Sequence, residues 1–253
     1  MAKPPAAPKV TLNFQTGSSG IESVSLYFHT ISANRQQLYL SHSITYKSPA
    51  VTQGTWPLQD IGDSFGYGAF NPYSTPGKWV LDNAYIYDQA GNYTAYSEAD
   101  LATLFGCPGA TDCITVKVTN NGTPDAKPPS ITAAKIQTPK VSLASPPASF
   151  AASLTVSDNV SGVHYSWVEV CPPNGSGGNC VSYSNYTTSP LLSGKITNYD
   201  WVCGSTDKCS TTSTGLWTIY AFGACDVANN CVSDYNATDI GNLFGTTTFK
   251  VTQ

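Results

Sequence analysis

An internal repeat is the sequence feature that most constrains the fold of this 253-residue chain. The matched segments of the first and second copies are residues 10–28 and 152–170, 76–106 and 214–245, and 114–119 and 247–252. Residues shared by the two copies include Gly20 and Gly162, Trp79 and Trp217, Asp88 and Asp226, and Asn92 and Asn230. Because each copy is long enough to bury a core of its own, the repeat predicts two domains of the same fold.

A Pro-rich segment, residues 120–130, separates the two copies. Segments of this composition are stiff and are typical of connections between domains. We therefore predict a first domain at residues 1–122, a linker at 123–129 and a second domain at 130–253. The second copy also has strand-like residues before its match begins, whereas the first starts almost at residue 1. We expect either a piece of a longer protein or a shortened leading strand.

Both copies alternate apolar and polar residues, as in Val10, Leu12 and Phe14. A period of two residues is the pattern of half-buried β-strands. The longest apolar segments, 79–87 and 217–225, are predicted to be central strands. Only 11% of the residues are charged, against about 25% in average globular proteins, and the chain has 21 glycines and 17 prolines. This composition favours many turns and argues against a helical bundle.

One short helix is predicted near the end of each copy. Ser97 and Asn236 each precede, by three residues, an aspartate that suits a helix N-terminus. Gly106 and Gly245 are placed to end the two helices. The apolar residues predicted to plug one end of each domain, at i, i+3 and i+4 spacing, are Leu101, Leu104 and Phe105, and Ile240, Leu243 and Phe244.

Four motifs occur in the same order in both copies: S-G-[VI] at a turn, G-x-W opening a strand, D-x-A-[GN]-N at a hairpin and D-[LI]-x-x-L-F-G in the helix. This ordered set resembles the bacterial immunoglobulin-like repeats of secreted and surface proteins, over most of both halves. The resemblance implies non-catalytic modules, often arrayed in stalks or adhesins or appended to secreted hydrolases. With about seven short strands per copy, it predicts an all-β chain of two tandem immunoglobulin-like β-sandwich domains, each with one short helix before the last strand.

The cysteines fall as four close pairs along the chain, without a C-x-x-C motif or a histidine at ligand spacing. They are Cys107, Cys113, Cys171, Cys180, Cys203, Cys209, Cys225 and Cys231. This usage predicts structural disulfides and an extracellular, cell-surface or other oxidising location for an exported protein. Eight cysteines allow many connectivities. Cys225 and Cys231, however, occupy the places of Tyr87 and Tyr93, which should face each other across a hairpin, so we predict a disulfide there.

The charge and the titratable residues exclude several function classes. A net charge of −4 with a single arginine leaves no basic surface for nucleic acid or anionic lipid. No apolar run approaches the roughly 18 residues that span a bilayer, and residues 1–9 lack the core of a signal peptide, so an export signal would lie upstream. His29, His42 and His164 fall in no catalytic motif. We predict no nucleic-acid partner, no membrane insertion and no enzymatic activity.

The two D-x-A-[GN]-N segments are the candidate metal sites. Asp88, Asn92, Asp226 and Asn230 offer the oxygen ligands that Ca²⁺ prefers, but each segment has few acids for a tight site. In the alternative interpretation, each aspartate accepts hydrogen bonds from its own turn, and Gly91 or Asn229 is left-handed. We favour the hydrogen-bonded turn and keep calcium as the alternative, with no other cofactor expected.

Aromatic residues are the candidate ligand-binding groups. Flat rings beside Asn, Asp and Gln can stack on sugar rings or anchor a protein partner, although the same rings can also fill a core. The candidates are Trp56, Phe65, Tyr67, Phe70 and Tyr73 in the first copy and Tyr183, Tyr186, Tyr199 and Trp201 in the second.

These observations predict a non-catalytic extracellular module that acts as a spacer or an adhesive domain of a secreted or cell-surface bacterial protein. Its partners would be a protein or polysaccharide surface and the neighbouring domains of the same protein. One alternative is a polysaccharide-binding accessory module of a secreted hydrolase. The other is a subunit of an extracellular filament, in which a neighbour supplies the leading strand of the first copy, so that either a monomer or a filament subunit is expected.

Overall fold

The structure, a computed structural model, describes residues 10–15, 19–31, 37–43, 52–58, 71–173, 180–204 and 212–253, with backbone alone for residues 10–15, 37–43 and 53–58. The chain divides into two compact units, Met1–Ala126 and Lys127–Gln253, and the division falls inside the Pro-rich segment. The described residues are mostly β-strands, so the predicted all-β class is confirmed.

The first unit contains seven described strands and one described helix. They are β1 (Val10–Gln15), β2 (Ile21–Thr30), β3 (Gln37–Ser43), β4 (Gln53–Leu58), β5 (Gly77–Asp88), β6 (Tyr93–Ser97), α1 (Glu98–Leu104) and β7 (Thr115–Val118). One sheet has the order β3-β2-β5-β6, and β7 also pairs with β5. Strands β1 and β4 form a separate antiparallel pair.

The second unit repeats this plan with more described strands. They are β8 (Ser130–Ile136), β9 (Lys140–Ser142), β10 (Ala148–Ser157), β11 (Val163–Cys171), β12 (Val181–Leu191), β13 (Ser193–Cys203), β14 (Gly215–Asp226), β15 (Cys231–Asp234) and β16 (Thr248–Thr252), with helix α2 (Ala237–Phe244) before β16. A three-stranded sheet has the order β13-β10-β8. The larger sheet has the order β12-β11-β14-β16-β9, and β15 also pairs with β14.

Each unit has its own hydrophobic core. In the first unit, the alternate residues Val24, Leu26 and Phe28 of β2 face inward and meet Trp79 of β5. In the second unit the core takes side chains from both sheets, such as Phe150 of β10 and Val168 of β11. The alternation therefore places one face of β2, β10 and β11 in the core, as predicted.

The G-x-W motif places a buried tryptophan at the start of the long central strand of each unit. The indole Nε1 of Trp79 donates a hydrogen bond to the carbonyl of Thr75 at 2.8 Å, and that of Trp217 donates to the carbonyl of Ser213 at 3.0 Å. Both rings are almost fully buried. Because the single polar atom of each ring is satisfied locally, the ring adds apolar burial without an unpaired donor.

Both predicted helices are present and start where expected. Ser97 forms a capping box with Asp100, and Asn236 accepts a hydrogen bond from the backbone N–H of Thr238. Helix α2 buries Ile240 and Phe244 and ends at Gly245.

The apolar face predicted for α1 is wrong in two of its three members. Leu104 and Phe105 are each 64% exposed, and the helix instead buries Leu101 and Ala102. The helix ends at its C-cap, Phe105, one residue before Gly106. The helix therefore reaches the core through Leu101 and Ala102 in its middle.

The described cysteines are all disulfide-bonded. The disulfides are Cys107–Cys113, Cys171–Cys180 and Cys225–Cys231. Cys203 is also bonded, and Cys209 lies outside the described residues. The close sequential pairing agrees with structural disulfides and indicates an oxidising compartment. Within the described ranges, no helix is both long enough and apolar enough to cross a membrane.

Candidate functional site

The D-x-A-G-N hairpin of the first unit is closed by the carboxylate of Asp88. Its Oδ1 accepts hydrogen bonds from the backbone N–H groups of Ala90 and Asn92, at 2.9 and 2.8 Å. Its Oδ2 accepts from the side-chain amide of Asn92 and from the hydroxyl of Ser19. These bonds, led by the Asn92 side chain and then Ser19, lower the pKa of Asp88 below its usual value.

The hairpin of the second unit reproduces the same geometry with a buried aspartate. Oδ1 of Asp226 accepts from the backbone N–H of Asn230 at 2.8 Å, and Oδ2 accepts from the Asn230 side-chain amide at 2.8 Å. Gly91 and Asn229 occupy the same place in the two turns, with φ of 83° and 63°. The prediction that each aspartate accepts hydrogen bonds from its own turn, with Gly91 or Asn229 left-handed, is confirmed.

The S-G turn and the D-x-A-[GN]-N hairpin contact each other in both units. The backbone N–H of Gln89 donates to the carbonyl of Gly20, and that of Val227 donates to the carbonyl of Gly162, each at 3.0 Å. This backbone hydrogen bond between the turn and the hairpin explains why the two motifs occur together in both copies. Their shared role in this structure is to hold a turn and a hairpin against each other.

The residues with metal-binding potential differ between the units. In the second unit, ligand-capable oxygens of Asp158 and Asp226 lie within 4.8 Å of each other. Asp158 Oδ1 also accepts from the backbone N–H groups of Val160 and Gly162. The first copy carries Thr16 at the position of Asp158. A Ca²⁺ ion takes about six to eight oxygen ligands, and two neighbouring carboxylates supply more of them than the single carboxylate of Asp88. Calcium therefore stays a prediction, and it concerns Asp158 and Asp226 more than Asp88.

The aromatic candidates separate into several groups. Phe65, Tyr67 and Phe70 lie outside the described residues, and Trp56 lies in β4, where only the backbone is described. Tyr73 is half-buried, and its carbonyl accepts a hydrogen bond from the backbone of Asp125.

Tyr183 is not a surface residue, which corrects its place among the ligand-binding candidates. The ring is fully buried and packs on Phe150, with 5.3 Å between ring centroids. Burial, and then the charge of Asp200, raise the pKa of Tyr183. The Tyr183 side chain points from β12 into the core of the second unit, so the ring is not accessible to a ligand.

Tyr199 and Trp201 are exposed side by side on the edge strand β13. They are 66% and 58% exposed. Their partners across the strand pair with β10 are Ala151 and Ser149. Since residues two apart on a strand share a face, both rings stand on one side of the sheet. The small residues opposite leave them uncovered.

Tyr186 belongs to a larger aromatic cluster on the outer face of the six-stranded sheet. Its ring centroid lies 4.6 Å from that of Tyr165, which in turn stacks on Trp167 at 5.5 Å. Tyr165 and Trp167 were not among the sequence candidates. Their alternation with the core-facing residues of β11 is the signal that could have identified them.

The first unit carries a second aromatic face that the sequence candidates missed. Tyr27 of β2 meets Tyr85 of β5 edge to face, with centroids 5.5 Å apart. Tyr87 and Tyr93 stack across the β5–β6 hairpin at 5.5 Å, which confirms the predicted cross-strand pair. A groove of about 460 Å³ opens beside them, lined by Ser25, Tyr27, Asp82, Asn83, Tyr85 and Tyr87.

No protein-family model matches the chain. A search of the curated proteins also gives no match.

Proposed function

We propose that this chain is a non-catalytic extracellular module of a secreted or cell-surface bacterial protein, which attaches to a surface partner through exposed aromatic side chains. The observation that carries this proposal is the pair Tyr199 and Trp201, held exposed on a rigid β scaffold. The alternative role as a passive spacer would not need two large uncovered rings at one place.

The strand arrangement supports an immunoglobulin-like fold for the modules. In the second unit, two sheets contribute to one core, and the long central strand β14 lies between β11 and β16. The short β9 pairs in parallel with β16, while the pairings among the longer strands are antiparallel. Two facing antiparallel sheets with a buried tryptophan in the core are typical of this class.

The exposed rings have the properties of interface anchors. Tyrosine and tryptophan offer large contact areas and lose little conformational freedom on binding, and they are enriched among binding hot spots. Disulfides and strand pairing restrict the backbone around them: Cys203 ends the same strand and is disulfide-bonded. A rigid pair of rings reduces the entropic cost of attachment.

A polysaccharide-binding role is the second candidate, because polar groups accompany the rings. Ser149 lies directly across the strand pair from Trp201, and therefore on the same face of the sheet as the two rings. Rings accompanied by hydroxyl groups suit the mixed apolar and polar surface of a sugar. A protein partner would use the same rings with less need of the polar groups.

The test compares the wild-type protein with Tyr199→Ala/Trp201→Ala. The matched control is Tyr235→Ala, which removes another exposed ring, 60% exposed, from the same unit. Retention on insoluble polysaccharides and adhesion of protein-coated beads to cell surfaces are measured. The proposal expects at least about a tenfold loss for the double variant and no loss for the control. Equal adhesion of all three proteins would contradict it.

A further inference from the structure

The tyrosine groove of the first unit has a specific structural origin. A bulge in β5 inserts Asp82 as an extra residue in the register with β2, because Tyr27 pairs with Asn83 and Phe28 pairs with Leu81. The bulge thus places Asp82 and Asn83 together at one end of the groove. Bulges commonly re-aim side chains in this way.

The floor and the wall of the groove come from opposite strands. Ser25 of β2 pairs with Tyr85 of β5, so a small side chain lies across from a large one. Tyr87 continues the wall two residues along β5, about 7 Å further on. The described lining residues form a trough with Tyr85 and Tyr87 of β5 along one side, Tyr27 of β2 edge to face with Tyr85, and polar groups at the floor and end.

The second unit fills the equivalent place. Trp167 stands at the position of Ser25, and Gly223 stands at the position of Tyr85. The two residues pair across β11 and β14, and the indole ring lies so close over Gly223 that an added Cβ would meet it at 2.2 Å. The groove is therefore a property of the first unit, and the repeat itself supplies a filled version of the same site.

The chemistry of the lining selects a ligand class. The described lining residues include one carboxylate, one amide, one serine hydroxyl and the tyrosines, with no lysine or arginine among them. An anionic ligand would be repelled by Asp82. A purely apolar ligand would desolvate Asp82 and Asn83 without giving them new hydrogen bonds, which is costly. A neutral ligand with many hydroxyls satisfies both the rings and the polar groups.

The shape of the groove favours a chain of rings over a compact ligand. Its volume of about 460 Å³ lies within the roughly 300–1,000 Å³ of sites for small organic ligands. A single ammonium group would fill little of it, and Asp82 already has His29 Nδ1 at 3.7 Å. Tyr85 and Tyr87, on one strand face, offer two successive ring surfaces.

We infer that this groove binds a short segment of a neutral oligosaccharide, whose sugar rings contact Tyr85 and Tyr87 while its hydroxyls bond to Asp82, Asn83 and Ser25. This site is separate from the Tyr199 and Trp201 pair, and the inference stands whether or not that pair mediates attachment. The first unit thus adds recognition of soluble glycan chains to the proposed role of the module.

The experiment uses the full chain and six soluble probes. Four are neutral hexasaccharides of glucose, xylose, mannose and N-acetylglucosamine, and two are charged comparisons, choline and a polyuronate hexasaccharide. Binding is measured by isothermal titration calorimetry, with saturation-transfer NMR to identify the contacted protons. The key variant is Ser25→Trp/Tyr85→Gly, which transplants the filled pair of the second unit. Tyr87→Ala is a second variant, and because Tyr87 is 38% exposed, this change should leave the fold intact. Tyr235→Ala, which removes a 60% exposed ring of the second unit, is the control.

At least one hexasaccharide should bind the wild type, and Tyr87→Ala should weaken that binding about tenfold. The transplanted pair should abolish binding with the thermal unfolding midpoint nearly unchanged, and the control should bind as the wild type does. The inference is overturned if no hexasaccharide binds, or if both groove variants bind normally. It is also overturned if choline or a polyuronate hexasaccharide binds more tightly than every neutral probe.

Discussion

The contact between Trp167 and Gly223 makes the substitution Gly223→Ala a sharp test of how the second unit is packed. A methyl group at this position would lie 2.2 Å from two carbons of the Trp167 ring and 2.6 Å from the carbonyl oxygen of Val232. Ordinary carbon contacts begin near 3.4 Å. The indole ring can rotate away, but the Val232 carbonyl belongs to the backbone of β15, which is paired with β14.

The expected cost follows from these two contacts. Overpacking of a well-packed site costs about 1 to 3 kcal/mol. Displacing Trp167 also disrupts its stacking on Tyr165, at 5.5 Å between centroids, a pair interaction of about 0.5 to 1.5 kcal/mol. The alanine regains up to about 1 kcal/mol by restricting the unfolded chain. The net loss of unfolding free energy should lie between about 0.5 and 4.5 kcal/mol, with a central value of about 2.5 kcal/mol. The central value corresponds to roughly 10 °C in the unfolding midpoint of a unit of this size.

The control is the same substitution elsewhere in the same unit. Gly241 lies inside α2, and an added Cβ would meet the Thr247 methyl at 3.6 Å, an ordinary contact. Gly241→Ala should therefore raise stability by up to about 1 kcal/mol. Calorimetry on the full chain, with hydrogen exchange of β14 peptides to assign the transition, measures both variants. A Gly223→Ala protein within about 0.5 kcal/mol of wild type would refute the close packing of Trp167 over β14.

Three further predictions concern the hairpins. Replacing Cys225 and Cys231 by serine should lower the unfolding free energy by about 2 kcal/mol, measured by urea denaturation, and an unchanged midpoint would argue against a stabilising disulfide. Gly91→Val should cost about 1 to 2 kcal/mol, whereas Asn229→Gly should change stability by under about 0.5 kcal/mol; equal effects would contradict the left-handed turn. The pKa of Asp88 is lowered mainly by the hydrogen bond from the Asn92 side chain. The ionised carboxylate therefore stabilises the fold above its ordinary pKa of 3.8, and this stability is lost as the pH falls through the lowered pKa of the folded protein. Asp88→Asn should remove that acid-dependent loss in denaturation midpoints measured from about pH 5 to 2, and an identical pH profile for both proteins would refute it.

Features that depend on residues close together in the chain could be predicted from the sequence. The hairpin at Asp226 is closed by a residue four positions later, and Cys225 bonds to Cys231 across the same turn. The helix start at Ser97 is likewise set by Asp100, three residues later in the chain. Such contacts need only local backbone geometry, so their residue types and spacing determine them.

The aromatic surfaces depended on the tertiary structure, because a side chain is exposed or buried according to what lies across from it. Tyr183 and Tyr199 are both tyrosines in strands of one unit, but the first meets Phe150 in the core and the second stands opposite Ala151 on an edge strand.

The outer sheet faces of the two units differ for the same reason. Alternation identified the strands of both copies, and the repeat aligned Ser25 with Trp167. Whether that position is a groove or a packed ring depends on the residue across the strand pair, Tyr85 in one unit and Gly223 in the other. The repeat and its local motifs were enough to predict two similar β units, their turns and the Cys225–Cys231 disulfide. Which aromatic rings are exposed depends on the pairing of distant strands, because cross-strand neighbours are far apart in the chain.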